Sequence, residues 1–376
     1  MAKEPLSLPA GERGAALLLA LAALSILGIL GAAAIALAWL EVRAGENAVQ
    51  TVQSFEAAEA GLAQARWTWN HAAMDTLSAG GVTMLPGLSL VNGAQVAVQA
   101  RRLGGETFLI TSQGQIQRAG RLSRRFLSQL IRLELPIPPI SGALTGLDSV
   151  LIDAGSVVSG IDSIPAGWGA RCPATVPPVA GLAVSPGTVV NPASCLTTPC
   201  LRGQPGLLVD SMLPPWLLDS VASYSYSGLA SQADVTVQGA VGPVRPVPAG
   251  PGACQAADTL NWGDPDPAGA CGSYFPVVHA ASGLVISGGS GQGVLLVDGD
   301  LTLSGAFRFV GLVVVQGTLH SGGAGGGVLG AVLARRVDLS PGSPLEVRYS
   351  ACALREAMRG RSRPRSPISH GWGQLF

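Results

Sequence analysis

The sequence predicts an α+β membrane protein: a long N-terminal helix, a small antiparallel sheet and a C-terminal β-solenoid-like domain. Three observations carry that class. An uncharged apolar run from Gly14 to Leu40 continues without a proline into an amphipathic stretch. Short alternating strands separated by glycine turns follow it. Near the C-terminus an apolar motif then returns at a short, nearly constant spacing, starting at Leu295, Val313 and Ala331.

The helix comes first. At 1.5 Å per residue, a rod from Gly14 to Asn70 would be roughly 85 Å long, whereas a bilayer core takes about 20 residues. Such a rod is half apolar and half amphipathic. A secretory signal peptide carries a shorter apolar stretch behind a positive leader. An Ala-x-Ala site at Ala34–Ala36 nevertheless keeps cleavage there open, and a plain single-pass anchor is the stronger alternative. The flanking charges, Lys3 and Arg13 against Glu4 and Glu12, nearly cancel and set no orientation.

The second half of the rod separates these readings. Val49, Val52, Phe55, Ala58, Leu62, Ala65 and Trp69 recur at spacings of three or four, the signature of one helical face. Ala57, Ala60, Gly61 and Ala63 are small and permit close approach by neighbouring helices. Glu12-Arg13-Gly14-Ala15-Ala16-Leu17, with Phe55-Glu56-Ala57-Ala58-Glu59-Ala60-Gly61 at the far end, resembles the N-terminal domain of PilX-type minor pilins of type IV pili. The resemblance runs from the N-terminus and ends near Ala65.

It implies a leader, residues 1–14, cut after Gly14 by a prepilin peptidase, with Ala15 as the first mature residue. It also implies a pilin-like helix over 15–70 whose face bearing Val49, Val52, Phe55 and Leu62 packs against other pilin subunits. Major pilins carry a glutamate at the fifth mature position; Leu19 stands there, which fits a minor subunit. The implied partners are other pilin subunits, the pilus assembly machinery, the peptidase and membrane lipid. The implied location is the inner membrane, crossed once with the C-terminal part in the periplasm, or the cell surface within a pilus.

Composition limits the rest. Charged residues make up 12% of the chain and cancel to a net charge of +0, so nothing points to nucleic acid as a partner. Glycine and proline, 51 and 27 residues, are abundant between aliphatic runs and indicate turn-rich β structure. All six cysteines lie beyond the apolar run: Cys172, Cys195, Cys200, Cys254, Cys271 and Cys352. An even number on one side of a membrane indicates disulfides. Zinc is disfavoured because no C-x2-C pair occurs. Proximity favours Cys195 with Cys200 and Cys254 with Cys271, leaving Cys172 to Cys352.

Residues 71–135 read as a small antiparallel meander of three strands. Gln95–Val98 alternates, Thr107–Thr111 returns after Gly104-Gly105, and a longer strand runs through Phe126 to Leu133. Arg118, Arg121, Arg124, Arg125 and Arg132 make that strand basic, as a solvated face or as a docking patch for a partner subunit. Pro136-Ile137-Pro138-Pro139 reads as a stiff linker into the domain at 136–358.

There, Leu295–Leu301 returns as Val313–Leu319 and again as Ala331–Val337, while Leu284–Gly288 matches Leu301–Gly305. Apolar columns and glycine turns at a fixed short period are how solenoid rungs look; stacked hairpins are the alternative. An isolated copy occurs at Leu151–Gly160. A cysteine-bearing insertion at about 164–281 separates it from the main array, with a short helix expected at Pro214–Val221. Within this domain Asn261–Pro265, Cys271–Pro276, Gly291–Gly293 and Val297–Asp300 resemble the C-terminal part of some PilX-like proteins. Residues 359–376 form a basic tail for which disorder is the default.

No catalytic residues, cofactor site or metal site emerge. Asp298 and Asp300 share one strand face, but Gln316 and Thr318, then Ala334 and Arg336, follow in their columns. Asp264 and Asp266 flank Pro265 as turn residues. The glycines at 288–293 lack the Lys-Ser/Thr of a phosphate loop, and His71, His279, His320 and His370 have no nucleophile to pair with. The reading is a pilin-like minor subunit that primes or caps a pilus by helix packing and is not an enzyme. A pseudopilin of a type II secretion system stands as one alternative. A membrane-anchored β-helix carbohydrate-binding protein or enzyme is the other.

Overall fold

The computed structural model describes residues 12–375 apart from 119, 135–138, 154, 173, 192–199, 215, 222–223, 251–252, 324, 340–341, 343, 362 and 366–371. The chain divides into two units, Met1–Arg132 with Pro364–Phe376, and Leu133–Arg363. The second unit is therefore an insertion between strands of the first. The linker expected at 136–139 lies, but for Pro139, outside the described residues.

In the first unit, one unbroken helix, α1 (Glu12–Trp67), carries both the apolar run and the amphipathic stretch. A short helix, α2 (His71–Asp75), follows, its N-terminus capped by the Asn70 side chain, which accepts from the Ala73 amide. Four antiparallel strands come next: β1 (Val82–Ser89), β2 (Gln95–Gly104), β3 (Thr107–Arg118) and β4 (Arg121–Glu134). Burial alternates along β3, so that Phe108, Ile110, Ser112 and Ile116 face inward, as the pleat requires. With Val96, Val98, Leu127 and Ile131 this face forms a core against Ala57, Ala58, Leu62 and Ala65 of α1.

The second unit opens with β5 (Gly142–Ile152) and β6 (Val157–Ser159), then β7 (Ala180–Val184), β8 (Val189–Asn191), β9 (Leu201–Arg202) and β10 (Leu207–Val209). Two short hairpins are made by β11 (Ser220–Val221) with β12 (Tyr224–Ser225), and by β14 (Pro248–Gly250) with β15 (Ala253–Cys254). Helix α3 (Tyr226–Ala230) and strand β13 (Val235–Val241) lie between them. The C-terminal half gives β16 (Val277–Ser287), β17 (Ser290–Val297), β18 (Leu301–Ser304), β19 (Arg308–Gly322), β20 (Gly326–Leu339) and β21 (Leu345–Tyr349), then helix α4 (Ala351–Arg359). Strands β22 (Arg363–Arg365) and β23 (Trp372–Leu375) pair with β4 of the first sheet.

The principal strands of the second unit stack in the order β10-β7-β5-β20-β19-β17-β16-β13, all parallel. The register follows the sequence period. Leu295 faces Val313, Leu284 faces Leu301, and Leu319 faces Val337. Val313 faces Val332, one position beyond the copy expected at Ala331, and a bulge between Val315 and Thr318 restores the spacing. Gly293, Gly311 and Gly330 lie in one column at positive φ of 108°, 140° and 149°. A Cβ on Gly330 would strike the Gly311 carbonyl, so the bend between two faces of the stack requires glycine there.

The chain enters this stack in its middle. It starts at β5, steps outward through β7 and β10, crosses to the opposite end at β13, and then works back through β16, β17 and β19 to β20. There β20 closes against β5, with Val332 facing Leu144 and Leu339 facing Ile152. The isolated early copy thus joins the far end of the main array.

Four expectations are corrected. The meander has a further strand, β1, which Pro86 and Gly87 hid; its pairing with β2 shifts register across those residues. The segment expected as an insertion at about 164–281 contributes β7 to β10 and β13 to the stack itself. The helix expected at Pro214–Val221 is a single 3-10 turn at Leu217–Asp219, whose buried Leu217 and Leu218 fasten it to the core. The segment read as a basic tail contains strands β22 and β23.

Candidate functional site

Helix α1 is where the sequence places function, and its two halves differ. From Ala16 to Val49 every described side chain is exposed, including Leu17, Leu24, Ile29 and Ile35. Burying such a surface from water is favourable by roughly 25 cal/mol per Å2, so this half demands an apolar surrounding. The second half meets the sheet at very close range. A Cβ on Gly61 would collide with the Ser112 hydroxyl and a Val96 methyl; one on Gly114 would collide with the Ser54 carbonyl and the Ala58 amide. Ala57 and Ala58 are fully buried in the same contact.

The small residues read as permitting approach by other helices therefore serve the chain's own sheet. The proposed packing face divides as well. Leu62 is 4% exposed inside the unit's core and Phe55 packs against that core, whereas Val49 and Val52 are 51% and 54% exposed. The reason is geometric. At about 100° per residue, Phe55 lies roughly 20° from Leu62 around the helix, whereas Val52 lies roughly 80° and Val49 roughly 140° away, so only Phe55 shares the surface of Leu62. The available face is that of Val49 and Val52, continuous with the apolar half. Gly14 and Ala15 lie in the first turns of α1.

The cysteines lie in the second unit. Cys172 is joined to Cys352 with Cα atoms 5.9 Å apart, and Cys254 to Cys271 at 4.9 Å. Cys200 is disulfide-bonded, and Cys195 lies outside the described residues. Around the second bridge, the Asn261 amide donates to the Val247 and Gln255 carbonyls, and buried Gln292 donates to the Tyr274 and Gly272 carbonyls. Trp262 is fully buried beside them. These are residues of the motif noted at 261–276 and 291–293, and they hold a loop together.

Asp298 and Asp300 prove to bridge neighbouring segments of the second unit. Asp298 accepts from the Tyr226 hydroxyl at 2.8 Å and lies 3.0 Å from the His279 Nε2. Burial, and then the Asp298 carboxylate, push the Tyr226 hydroxyl far above its ordinary value, so it remains a donor. Asp300 accepts from the Thr318 amide at 2.6 Å, a hydrogen bond that holds its carboxyl below the usual value. His320 lies 3.4 Å from Asp338. Sequence reasoning missed both His–Asp pairs, although the period contained one of them: Asp338 follows His320 at the same spacing at which Val313 follows Leu295. Asp264 and Asp266 each accept from a backbone amide two positions on, as turn formers do. Among the described residues no three metal-ligating side chains converge.

A cleft of about 840 Å3 in the second unit lies on the face formed by Ser290, Arg308, Gly327 and Glu346. Asp264 and Asp266 form part of its wall, and Arg348 is paired with Glu346. Its charges are mixed and largely spent on each other and on backbone.

No protein-family model matches the chain, and no curated protein matches it. Among solved structures, the competence-associated pilin ComZ from Thermus thermophilus is similar at 13% sequence identity. The alignment covers 87% of this chain and 97% of that one, with a TM-score of 0.24. At that score the likeness carries no residue or role across.

Proposed function

We propose that the protein is a type IV pilin-like minor subunit that enters the membrane through α1 and takes part in pilus assembly, priming or capping by helix packing. The observation that carries this reading is α1 itself, one continuous helix with an exposed apolar first half and a second half clamped on its own sheet. A plain anchor needs no rigid continuation, whereas a subunit packed by its helix into a filament needs both halves in line. Leu19 fits a minor rather than a major subunit, because a buried carboxylate in hydrocarbon would require a partner.

On this reading a prepilin peptidase cuts after Gly14, and Ala15 begins the mature chain. Val49 and Val52 contact other pilin subunits. The second unit, a β-solenoid in this proposal, stands in the periplasm before assembly and at the cell surface after it. Its role is binding or spacing, with no catalysis and no cofactor. The arrangement of Asp298 and Asp300 supports that view, since both carboxylates are engaged in bridging rungs. The decisive experiment is mass spectrometry of the mature N-terminus in its native host. A chain beginning at a methylated Ala15 is expected; an intact Met1, or cleavage near Ala36, overturns the proposal.

A further inference from the structure

We propose that α1 and β4 form a head-to-tail contact with a second copy of this chain, in which Glu56 and Glu59 of one copy enter an arginine cleft of the next. The inference rests on the reading of α1 as a helix packed among subunits, and it names one partner. The cleft, about 460 Å3, lies between Asn47, Gln50 and Thr51 of α1 and Arg121, Ser123 and Arg125 of β4. Pleating turns those three strand residues toward the helix. Arg121 donates to the Asn47 side chain at 3.3 Å, the Ser123 and Ser54 hydroxyls lie 3.0 Å apart, and Arg125 reaches the Thr51 hydroxyl at 3.5 Å. These partners are neutral, and among the described residues no carboxylate lines the cleft. Gln50 is 8% exposed, with no partner for its side chain among the described residues. Two guanidinium groups with spare donors, beside a buried amide, suit the reception of carboxylates.

The same helix carries the complementary charge on its other side. Glu56 and Glu59 are exposed and have no partner among the described residues. At about 100° per residue, Val49, Val52, Glu56 and Glu59 fall within roughly 80° of one another. Their mean direction is roughly 165° from that of Asn47, Gln50 and Thr51. The acids therefore share the free face of α1 with the two exposed valines and stand opposite the cleft. They also lie about eight residues further along, roughly 12 Å. With a helix about 10–12 Å across between them, acids and arginines do not meet within one chain. They meet between two parallel helices, the arrangement that insertion by the same apolar end dictates, when the second is displaced roughly 12 Å toward its N-terminus. That displacement also brings Val49 and Val52 of the second copy level with the stretch just beyond Leu40 of the first, which is 61% exposed. A two-fold axis along parallel helices permits no such displacement, so the contact is heterologous, of the kind that repeats from copy to copy. The strand read from sequence as a solvated or subunit-docking face thereby gains a specific occupant.

The test expresses two differently tagged full-length chains in one membrane and measures their co-purification in mild detergent. Wild type is expected to self-associate, more weakly as salt rises. Reversing the cleft (R121E/R125E) or the acidic face (E56R/E59R) sets like charges against each other, and each should weaken self-association at least about tenfold. Mixing the two reversed chains should restore it, because every cleft again meets its opposite. Hydrogen exchange at Ser54 to Ala65 reports whether a reversed chain keeps its seated helix; if one does not, the milder R121Q/R125Q must still weaken self-association. Association that survives both reversals, or folded reversed chains that do not recover on mixing, overturns the inference. Loss with Glu41→Arg but not with E56R/E59R overturns the choice of acids. Protection of the cleft by inorganic phosphate or phosphatidylglycerol in a wild type that does not self-associate also overturns it, in favour of a free anion or a lipid. Mass spectrometry of the same preparation keeps this result apart from the proposed function. A chain that begins at Ala15 and retains other pilin subunits, but not its own second copy, refutes this inference alone; an intact Met1 refutes the proposed function itself.

Discussion

Substituting Gly114 by alanine tests whether α1 is truly seated on its own sheet. The added methyl group would meet the Ser54 carbonyl and the Ala58 amide far inside the 3.0 Å that real Cβ atoms keep. Both are backbone atoms in mid-helix, so no rotamer change relieves the clash, and the helix must retreat by about 1 Å or more to regain ordinary contact. A gap of that size forfeits a quarter to a half of each neighbouring dispersion contact, and overpacking of this kind costs about 1–3 kcal/mol. Gly114 is not among the glycines at positive φ, so backbone strain adds nothing. Reduced freedom of the unfolded chain returns only about 0.4–1 kcal/mol.

A net loss of about 1.3 kcal/mol corresponds to roughly a tenfold larger population of the open form. Hydrogen exchange of the α1 amides from Ser54 to Ala65, read by mass spectrometry on the detergent-solubilised chain, measures it directly. Two companions bracket the result. Gly61→Ala meets side chains that can turn aside, and gains helix propensity, so its loss should be smaller. Gly45→Ala meets nothing within 4 Å and should stabilise the helix by about 1 kcal/mol. Unchanged exchange at Ser54 to Ala65 in Gly114→Ala would refute the seated-helix argument.

Removing the bridge with C172A/C352A frees a closure with a sequence separation of 180 and should lower stability by about 5 kcal/mol in the chain-entropy picture, seen as an earlier urea midpoint; a shift within error counts against that bridge. Val52→Asp should leave the fold intact yet abolish co-purification with other subunits, while Leu62→Ala should cost about 2–5 kcal/mol of stability through the buried core. Equal co-purification of the Val52→Asp variant and wild type argues against the proposed function. Asp300 has a folded-state pKa below its unfolded value, so the stability it contributes is present above the ordinary carboxylate range. That contribution disappears as pH falls through the depressed value. Urea unfolding at about pH 6 and about pH 3 should therefore show a slightly steeper acid loss in wild type than in Asp300→Asn, modest because the group is near solvent; identical losses refute it.

What the sequence made legible was whatever repeats locally. Hydrophobicity alone marks α1, alternation marks β2 to β4, and the apolar period predicts the facing of Leu295 with Val313. What stayed hidden depends on partners distant in the chain. β1 contains Pro86 and Gly87, tolerable only because it is an edge strand, and nothing in its own residues says that β2 will pair with it. β22 and β23 are arginine-, proline- and glycine-bearing segments that become strands because β4 offers them an edge. The face of α1 was misjudged because apolar spacing reports that a surface is buried, not what buries it. Leu62 and Val52 look alike in sequence, and only the sheet distinguishes them. The His320–Asp338 pair was within reach, had the period been applied to charges as well as to aliphatics.

The entry of the chain at the middle of its own stack has a consequence for how the protein must be made. Val332 faces Leu144 from the far end of the second unit's sequence, and that contact joins the unit's two halves. A ribosome adds about 5–20 residues per second, so β5 is synthesised roughly 10–40 s before the strand that covers it exists. During that interval the nascent polypeptide carries a parallel strand with an open edge, the feature most prone to join the wrong neighbour. Completion of β20 is then the event that commits the second unit, and it comes late in synthesis. A message truncated after β19 but before the codon for Gly326 yields two open half-stacks in place of a shortened protein. A chain with β5 uncovered is therefore recognisably unfinished.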